Sequence, residues 1–218
     1  MLFDLDGTLL DTAKDFTQVL NQLLRKHGRN EVAYQRVRET VSDGARALIK
    51  LGFEIDEQHA LFNQFLQELL TLYADKIITT EAVLFAGIPE LLHRIESEKL
   101  RWGIVTNKPS RFTIPLLKNF PDFRNSSVLV CADQLKAGKP DPEGLLLASR
   151  TLACEPGQCI YVGDHQRDIE AGKNADIETI AVSWGYYPES TSLEEWQADL
   201  IVETPHEIGD YLFGKTHV

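Results

Sequence analysis

The second half of the sequence alternates short apolar segments with longer segments of helical periodicity. Each apolar segment has the length of a buried strand, and between them apolar side chains recur every three or four residues. Strands that alternate with helices pair in parallel and are covered on both faces. The pattern therefore predicts an α/β fold with a doubly wound, mainly parallel sheet. The strands predicted here are 101–106, 128–131, 159–162, 178–182 and 200–202.

A helical insertion separates this part of the chain from a first strand near the N-terminus, whose carboxyl end is at Asp4. A strand-to-helix connection normally takes about two to six residues, so an insertion of this length is predicted to form a subdomain of its own. We predict a core domain of residues 1–13 and 81–218 and an inserted helical domain of residues 14–80. The helices predicted within the insertion are 14–27, 31–41 and 57–73.

The composition narrows the classes of partner. The 218 residues carry a net charge of −11, which argues against nucleic acids and anionic membranes because both attract basic surfaces. No apolar segment has the length of a membrane span, and no signal sequence is recognisable at the start. We therefore expect a cytoplasmic protein, monomeric or homodimeric, without nucleic-acid or membrane partners. The three cysteines are expected to be free thiols.

Two acidic residues follow the first strand directly. Asp4 stands at its carboxyl end and Asp6 stands in the turn beyond it, before Gly7 and Thr8. Carboxylates this close repel one another unless a cation lies between them. Mg²⁺ prefers oxygen ligands, so the pair predicts magnesium as a cofactor, with a solvated surface turn as the alternative. Because Asp4 is reached so early, either the first strand is short or the natural chain begins upstream.

Four polar segments follow predicted strands or precede a helix. The carboxyl ends of parallel strands meet at one edge of a sheet, so these segments are predicted to converge on a single crevice. Their residue types suit phosphoryl transfer, which needs a nucleophile, positive charge, hydrogen-bond donors and an acid–base group. The four segments are 4–8, 106–109, 139–142 and 163–168.

The residues of these segments divide naturally among the roles. A carboxylate nucleophile forms an aspartyl-phosphate, and Asp4 is placed for attack while Asp6 is placed to move the proton. The remaining segments supply hydrogen bonds, positive charge and metal carboxylates, through Thr106, Asn107, Lys139, Asp164 and Asp168.

The order D-x-D-G-T, T-N-K, K-P and G-D-x-x-x-D resembles that of the haloacid dehalogenase superfamily, and specifically its phosphatases with a helical cap. The resemblance extends over essentially the whole chain. It implies a Rossmann-like core and a helical cap at 14–80 that closes over the site. It also implies Mg²⁺-dependent hydrolysis of a small anionic phosphomonoester through an aspartyl-phosphate.

The resemblance also implies roles for single residues. Asp4 is then the nucleophile, and Asp6 is the general acid and base as well as a metal ligand through its backbone carbonyl. Thr106 binds the phosphoryl group, and Lys139 offsets the negative charge of nucleophile and phosphate.

The same resemblance makes Asp164 a direct metal ligand beside Asp4. Asp168 is then an outer carboxylate of the metal site, or it orients Lys139. His165 departs from the residues that relatives often carry at this position. We interpret it as a loop side chain near the metal site.

Four residues are candidates for contacts with the substrate. Arg46, in the inserted domain, is the candidate for gripping a carboxylate at the far end of the substrate, with a solvated helix cation as the alternative. Thr106, Asn107 and Lys108 are the candidates on the core side, and Arg111 adds positive charge there.

Within the superfamily, the segments DLDGTLLDT, GARAL, VTNKP and KPDP resemble phosphoglycolate phosphatases, which makes that activity the first expectation. The segments VLVCADQL and GDHQRDIEAG also resemble N-acetylmuramic acid 6-phosphate phosphatases, which are the alternative. A sugar phosphomutase is a further alternative, because it uses the same aspartyl-phosphate. A non-catalytic phosphate-binding module is disfavoured, because Asp4, Asp6 and Lys139 are all present.

Overall fold

The computed structural model describes residues 1–214 and places eight strands among them, six in one sheet and two in a separate pair. The strands are β1 (Leu2–Phe3), β2 (Leu10–Asp11), β3 (Val83–Leu84), β4 (Gly103–Thr106), β5 (Val128–Cys131), β6 (Ile160–Gly163), β7 (Glu178–Val182) and β8 (Leu200–Val202).

Helices flank the large sheet and fill the insertion. They are α1 (Ala13–Lys26), α2 (Tyr34–Arg38), α3 (Gly44–Phe53), α4 (Phe62–Ile78), α5 (Ile88–Ser97), α6 (Ser110–Leu117), α7 (Glu143–Thr151), α8 (Gln166–Asn174) and α9 (Pro205–Phe213).

The large sheet has the order β5-β4-β1-β6-β7-β8, and every neighbouring pair is parallel. Its central strand is β1, where Leu2 pairs with Gly103 on one side and Tyr161 on the other. The chain first extends the sheet to β5 and later to β8, so the direction of winding reverses beside β1. Ligand sites of such folds lie beyond the strand ends at this reversal, which is where Asp4 stands. The predicted doubly wound α/β fold is confirmed.

Four helices, α1 to α4, lie between β2 and β3 along the chain. These two short strands pair antiparallel, with Leu10 opposite Leu84 and Asp11 opposite Val83. The chain therefore leaves the core and returns to it at one place. We call α1 to α4 the cap; the predicted domain borders at 14 and 80 stay a prediction.

Two predicted helices of the cap begin later in the structure. The helix predicted at 31–41 is the shorter α2, because the Asn21 side chain donates to Val32 O and accepts from Val32 N, which holds that residue in a loop. The helix predicted at 57–73 is α4, displaced towards the C-terminus. The Asp56 carboxylate accepts from Gln58 N and the His59 ring from Leu61 N, so local turns occupy the expected first helical turn.

A continuous apolar core joins the cap to the sheet. Phe16 of α1 stacks on Tyr73 of α4 with ring centroids 4.2 Å apart, and Tyr73 also contacts Phe112 of α6 at 5.6 Å. The cap is therefore closed against the core in this structure. Within residues 1–214, no helix has both the length and the apolar character that crossing a membrane requires. The three cysteines are free, as predicted.

Candidate active site

The loop after β1 brings the first two acidic residues to the crevice. Gly7 turns the chain with φ +90°, a conformation that favours glycine, and a Cβ added there would lie 2.2 Å from Asp164 Oδ2. Leu10 O accepts a hydrogen bond from Gly7 N at 2.9 Å, which closes the turn. The glycine thus permits the loop after β1 to lie directly against the loop after β6.

Three carboxylates meet at this edge of the sheet. One oxygen from each of Asp4, Asp164 and Asp168 lies within 4.8 Å of the others. Burial raises the pKa of Asp4 to about 6, against the pull of Lys139. Burial and the neighbouring Asp168 and Asp4 raise the pKa of Asp164 to about 8. We call these three residues the carboxylate cluster.

The carboxylate cluster fits a magnesium ion. Its donors are hard oxygens, the ligands that Mg²⁺ prefers, and its members are buried at positions where ionisation is costly without a nearby cation. The structure brings Asp4, Asp164 and Asp168 together, and their roles as metal ligands stay predictions. Asp6 places its side chain elsewhere, and the predicted role of its backbone carbonyl as a ligand stays a prediction.

Lys139 is the cation buried beside the carboxylate cluster. Its Nζ lies 2.8 Å from Asp4 Oδ1 and 2.7 Å from Asp168 Oδ1, and it donates to Tyr161 Oη at 2.7 Å. Burial alone disfavours its charge, but Asp168 and Asp4 outweigh burial and hold the pKa of Lys139 above its usual value. Asp168 thus contacts Lys139 directly, and both roles expected for it, orienting Lys139 or serving as an outer carboxylate of the metal site, stay predictions.

Asn107 and Tyr161 hold Lys139 in place. Asn107 donates to Lys139 O at 3.0 Å and accepts from Lys139 N at 2.8 Å, so its amide binds backbone here. Tyr161 also donates to Val105 O at 2.9 Å. The sequence reasoning assigned Asn107 to the substrate and missed Tyr161, which lies inside an apolar strand and carries no motif.

Asp164 is held by donors from three parts of the chain. Thr8 Oγ1 donates to its Oδ1 at 3.0 Å, while Tyr186 N and Ser42 Oγ donate to its Oδ2 at 2.9 and 3.0 Å. Ser42 belongs to the cap, between α2 and α3, so the closed cap reaches the carboxylate cluster directly.

Asp6 faces away from the carboxylate cluster towards Lys108 and the cap. Lys108 Nζ donates to Asp6 Oδ1 at 2.7 Å and to Oδ2 at 3.0 Å, and Thr12 Oγ1 donates to Oδ1 at 2.6 Å. Thr106, at the end of β4, is buried, and its Oγ1 accepts from Lys108 N at 3.1 Å. Lys108, predicted to bind substrate, binds Asp6 in this structure.

A cavity of about 520 Å³ lies between the cap and the carboxylate cluster. Arg46 lines it, but its guanidinium donates to Glu57 at 2.8 Å, and the predicted contact with substrate stays a prediction. The core side adds Arg111 and the cap side adds Leu66 and Leu70. The cavity is thus lined by cationic side chains, by apolar side chains and by members of the carboxylate cluster.

The rim of the cavity carries an ion pair between the core and the cap. Arg167 of α8 donates to Asp43 Oδ1 at 3.0 Å, and His165 Nε2 lies 3.3 Å from the same oxygen. The His165 ring also accepts from Arg167 N, as the N-terminal cap of α8. His165 therefore lies next to the carboxylate cluster but contacts the cap.

Comparisons with known proteins identify relatives that match nearly the whole chain. A profile described as haloacid dehalogenase-like hydrolase matches residues 1–182. The chain is 42% identical over 212 residues to the N-acetylmuramic acid 6-phosphate phosphatase of Pseudomonas aeruginosa, an alignment that covers 97% of this chain and 93% of the relative. It is 36% identical over 211 residues to the phosphoglycolate phosphatase of Xanthomonas campestris pv. campestris, with coverage of 95% and 93%.

A solved structure shares the whole fold. The crystal structure of a predicted phosphoglycolate phosphatase from Haemophilus somnus 129PT matches with a TM-score of 0.86 at 22% identity, over 97% of this chain and 96% of the other. The fold of this chain is thus a known architecture. Together with the matched profile and the two relatives, this places the chain in the haloacid dehalogenase-like hydrolase family.

Proposed function

We propose that this phosphatase hydrolyses N-acetylmuramic acid 6-phosphate. The observation that carries the proposal is the relative of that name, which is 42% identical over 97% of the chain, against 36% for a phosphoglycolate phosphatase. The sequence motifs put phosphoglycolate first, and the comparisons favour the alternative. Motifs at the strand ends serve the phosphoryl group, which both substrates share, so they do not separate the two.

The size of the cavity supports a substrate larger than phosphoglycolate. Pockets that bind drug-sized ligands typically have volumes of about 300–1,000 Å³, and this cavity has a volume of about 520 Å³. Phosphoglycolate has two carbons and would leave most of that space to water. A phosphorylated amino sugar with acetyl and lactyl groups meets both the apolar wall at Leu66 and Leu70 and the cationic wall at Arg46 and Arg111.

In the first half of the proposed reaction, a carboxylate oxygen of Asp4 attacks phosphorus. The bond between phosphorus and the sugar oxygen breaks, and Asp6 donates a proton to that leaving oxygen. Lys139 offsets the negative charge of Asp4 and the phosphoryl oxygens, and Thr106 donates to one of those oxygens. The product is an aspartyl-phosphate on Asp4 and a free sugar.

In the second half, water attacks the phosphorus of the aspartyl-phosphate. Asp6 accepts the proton of that water, the bond between phosphorus and Asp4 breaks, and inorganic phosphate leaves. The chain returns to its starting state with Asp4 as a free carboxylate. The closed cap excludes other water from the cavity during both steps.

Asp4, Asp164 and Asp168 are the side chains that would hold Mg²⁺. When bound, the ion would neutralise charge on the phosphoryl oxygens during transfer. Asp4 and Asp164 place negative charges around the position of the ion, and Lys139 places a positive charge beside Asp4.

A phosphate-release panel tests the substrate. With Mg²⁺ present, we expect the highest kcat/KM for N-acetylmuramic acid 6-phosphate, followed by phosphoglycolate and glucose 6-phosphate. Glucose 6-phosphate serves as the matched sugar without a carboxylate. A higher kcat/KM for phosphoglycolate than for the amino sugar would contradict the proposal and restore the first expectation.

The same panel tests the nucleophile. Asp4→Asn keeps the size of the side chain but removes the nucleophilic oxygen charge, so we expect no detectable turnover of any substrate. Circular dichroism checks that the variant keeps the native secondary structure. Turnover close to that of the unaltered protein would exclude Asp4 as the nucleophile.

A further inference from the structure

Lys108 is enclosed rather than directed to solvent. Its side chain is 6% exposed, and its Nζ donates to both oxygens of the Asp6 carboxylate, at 2.7 and 3.0 Å. An ammonium group has three donors, and these contacts direct them towards Asp6. The geometry therefore assigns Lys108 to Asp6 rather than to a substrate phosphate.

Two aromatic rings of the cap cover this ion pair. The Lys108 Nζ lies 4.9 Å from the centroid of Phe16 on α1 and 4.8 Å from that of Tyr73 on α4. The two rings are themselves stacked. A cation at such distances is attracted to the ring face, and the rings exclude water from the side of the ammonium that faces the cap. The orientation of Lys108 thus depends on the closed cap.

A second donor fixes the other side of Asp6. Thr12 Oγ1, directly before α1, donates to Asp6 Oδ1 at 2.6 Å. A carboxylate has about four lone-pair sites, so these three contacts hold Asp6 in one orientation and leave one site on Oδ2 for a proton. Both fixing contacts involve the cap, one through Thr12 at its entry and one through the covered Lys108.

We propose that Lys108, covered by Phe16 and Tyr73, is a positioning residue that holds the Asp6 carboxylate as the proton acceptor for the water that cleaves the aspartyl-phosphate. This inference rests on the proposed function, in which Asp6 takes that proton. It assigns Lys108 to the second half of the reaction, and it makes the cap rings part of the hydrolytic step.

Nitrophenyl phosphate separates the two halves of the reaction. The nitrophenolate leaving group departs without a proton, so formation of the aspartyl-phosphate does not need Asp6. Hydrolysis of the aspartyl-phosphate does need Asp6. For Lys108→Met we expect kcat to fall about 10- to 100-fold, part of the usual contribution of a general base. We expect KM to fall by the same factor as kcat, so that kcat/KM stays unchanged, because the aspartyl-phosphate accumulates. Rapid mixing then shows a burst of one nitrophenolate per active site.

Three further variants sharpen this test. Lys118→Met removes a lysine from the exposed end of α6 and should leave kcat and KM unchanged. Lys108→Gln keeps a hydrogen-bond donor without charge and should give an intermediate kcat, which also secures the test if methionine disturbs folding. Phe16→Leu removes one covering ring and should lower kcat in the same direction by a smaller factor; an unchanged kcat would exclude the rings from the proposal.

Combination with Asp6→Asn distinguishes positioning from other roles. If Lys108 acts through Asp6, the double variant hydrolyses the aspartyl-phosphate no more slowly than Asp6→Asn alone. A raised KM with unchanged kcat for Lys108→Met would return Lys108 to substrate binding, and multiplied losses in the double variant would also overturn the inference. If instead Asp6→Asn hydrolyses its aspartyl-phosphate at the unaltered rate, the role of Asp6 in the proposed function fails.

Discussion

At the scale of single residues, Lys139 depends on groups that surround it on all sides. Its Nζ contacts two carboxylates and the Tyr161 hydroxyl, and it lies 3.2 Å from Val105 O. A buried ammonium needs all its donors satisfied, since each unsatisfied donor costs free energy. Tyr161 Oη supplies one acceptor that is neutral and fixed by its own bond to Val105 O.

Removing that hydroxyl tests its contribution. We expect Tyr161→Phe to lower the free energy of unfolding by about 0.5–1.5 kcal/mol, the usual net contribution of a hydrogen bond, because Asp4, Asp168 and Val105 O remain as acceptors for Lys139. We also expect a lower kcat, because Lys139 loses one of its fixed positions. Denaturant titration and phosphate release measure the two effects. Tyr211→Phe, whose hydroxyl lies at the surface beside Glu178, is the control. An equal loss in both variants would contradict a special role for Tyr161.

Sequence reasoning found the residues that follow strands and missed those that act across the fold. Asp4 and Asp164 stand at strand ends, where topology alone brings side chains together. Tyr161 faces Lys139 from the middle of β6, and Ser42 reaches Asp164 from the cap. Such contacts depend on the angle between elements and on how far the cap closes, and neither quantity has a local pattern in the sequence.

At the scale of elements, the loop between β1 and β2 has little room for change. Gly7 has φ +90°, and an added Cβ would overlap the Asp164 carboxylate. Gly28, just past the end of α1, also has a positive φ, +64°, but an added Cβ there meets nothing within 4 Å. A substitution of Gly28 therefore introduces backbone strain alone, whereas a substitution of Gly7 introduces backbone strain together with steric overlap.

An alanine at each position measures the two contributions. Gly28→Ala should lower the free energy of unfolding by about 1–2 kcal/mol, the usual strain of a left-handed residue that carries a Cβ. Gly7→Ala adds the displacement of Asp164, so we expect a clearly larger loss together with weaker Mg²⁺ binding. Thermal unfolding with and without Mg²⁺ measures both. If the two variants lose equal stability, the loop after β1 adjusts more easily than the packing indicates.

Local hydrogen bonds also explain why element borders were harder to predict than element types. The period of apolar residues predicted a helix in the region of α4, but the period alone does not locate its first turn. The side chains of Asp56 and His59 bind nearby backbone N–H groups and keep that segment in turns until Leu61. For α2, the competing contact comes from Asn21 on another helix, which no local pattern reveals.

At the scale of the whole molecule, the fold buries three acidic side chains next to one another, those of Asp4, Asp164 and Asp168. The pKa of Asp4 is raised to about 6 and that of Asp164 to about 8, in both cases chiefly by burial. Their pKa values are near 4 in an unfolded chain, so the folded state binds protons more tightly between about pH 4 and 8. Without a metal, these two groups therefore destabilise the fold progressively as pH rises through that range.

Mg²⁺ should reverse this trend. The ion competes with protons for the same oxygens, so we expect its stabilising effect to be small at pH 5 and larger at pH 8. A difference of 1 kcal/mol corresponds to about 2–4 °C in Tm for a chain of this size. Differential scanning calorimetry across pH 5–8, with Mg²⁺ and with a chelator, measures the difference.

Asp164→Asn provides the control for this dependence. The amide does not ionise, so the metal-free variant should lose less stability between pH 5 and pH 8 than the unaltered protein, and Mg²⁺ should add little to its Tm. The exposed pair of Lys14 and Glu81 lies away from the cluster, and Lys14→Met should keep the full effect of Mg²⁺. A Mg²⁺ effect that is equal at pH 5 and pH 8 would contradict the assignment of the raised pKa values.

The pairing of β2 with β3 has a consequence for how such a protein diversifies. Asp11 and Val83 lie opposite one another, so residues 12–82 form an excursion whose two ends are already adjacent. Because both ends are held together, a change of length within this segment need not move the strands of the large sheet. The two-stranded clamp thus allows the outer part of the cap to differ in length, as long as Thr12 and Ser42 keep their contacts with Asp6 and Asp164.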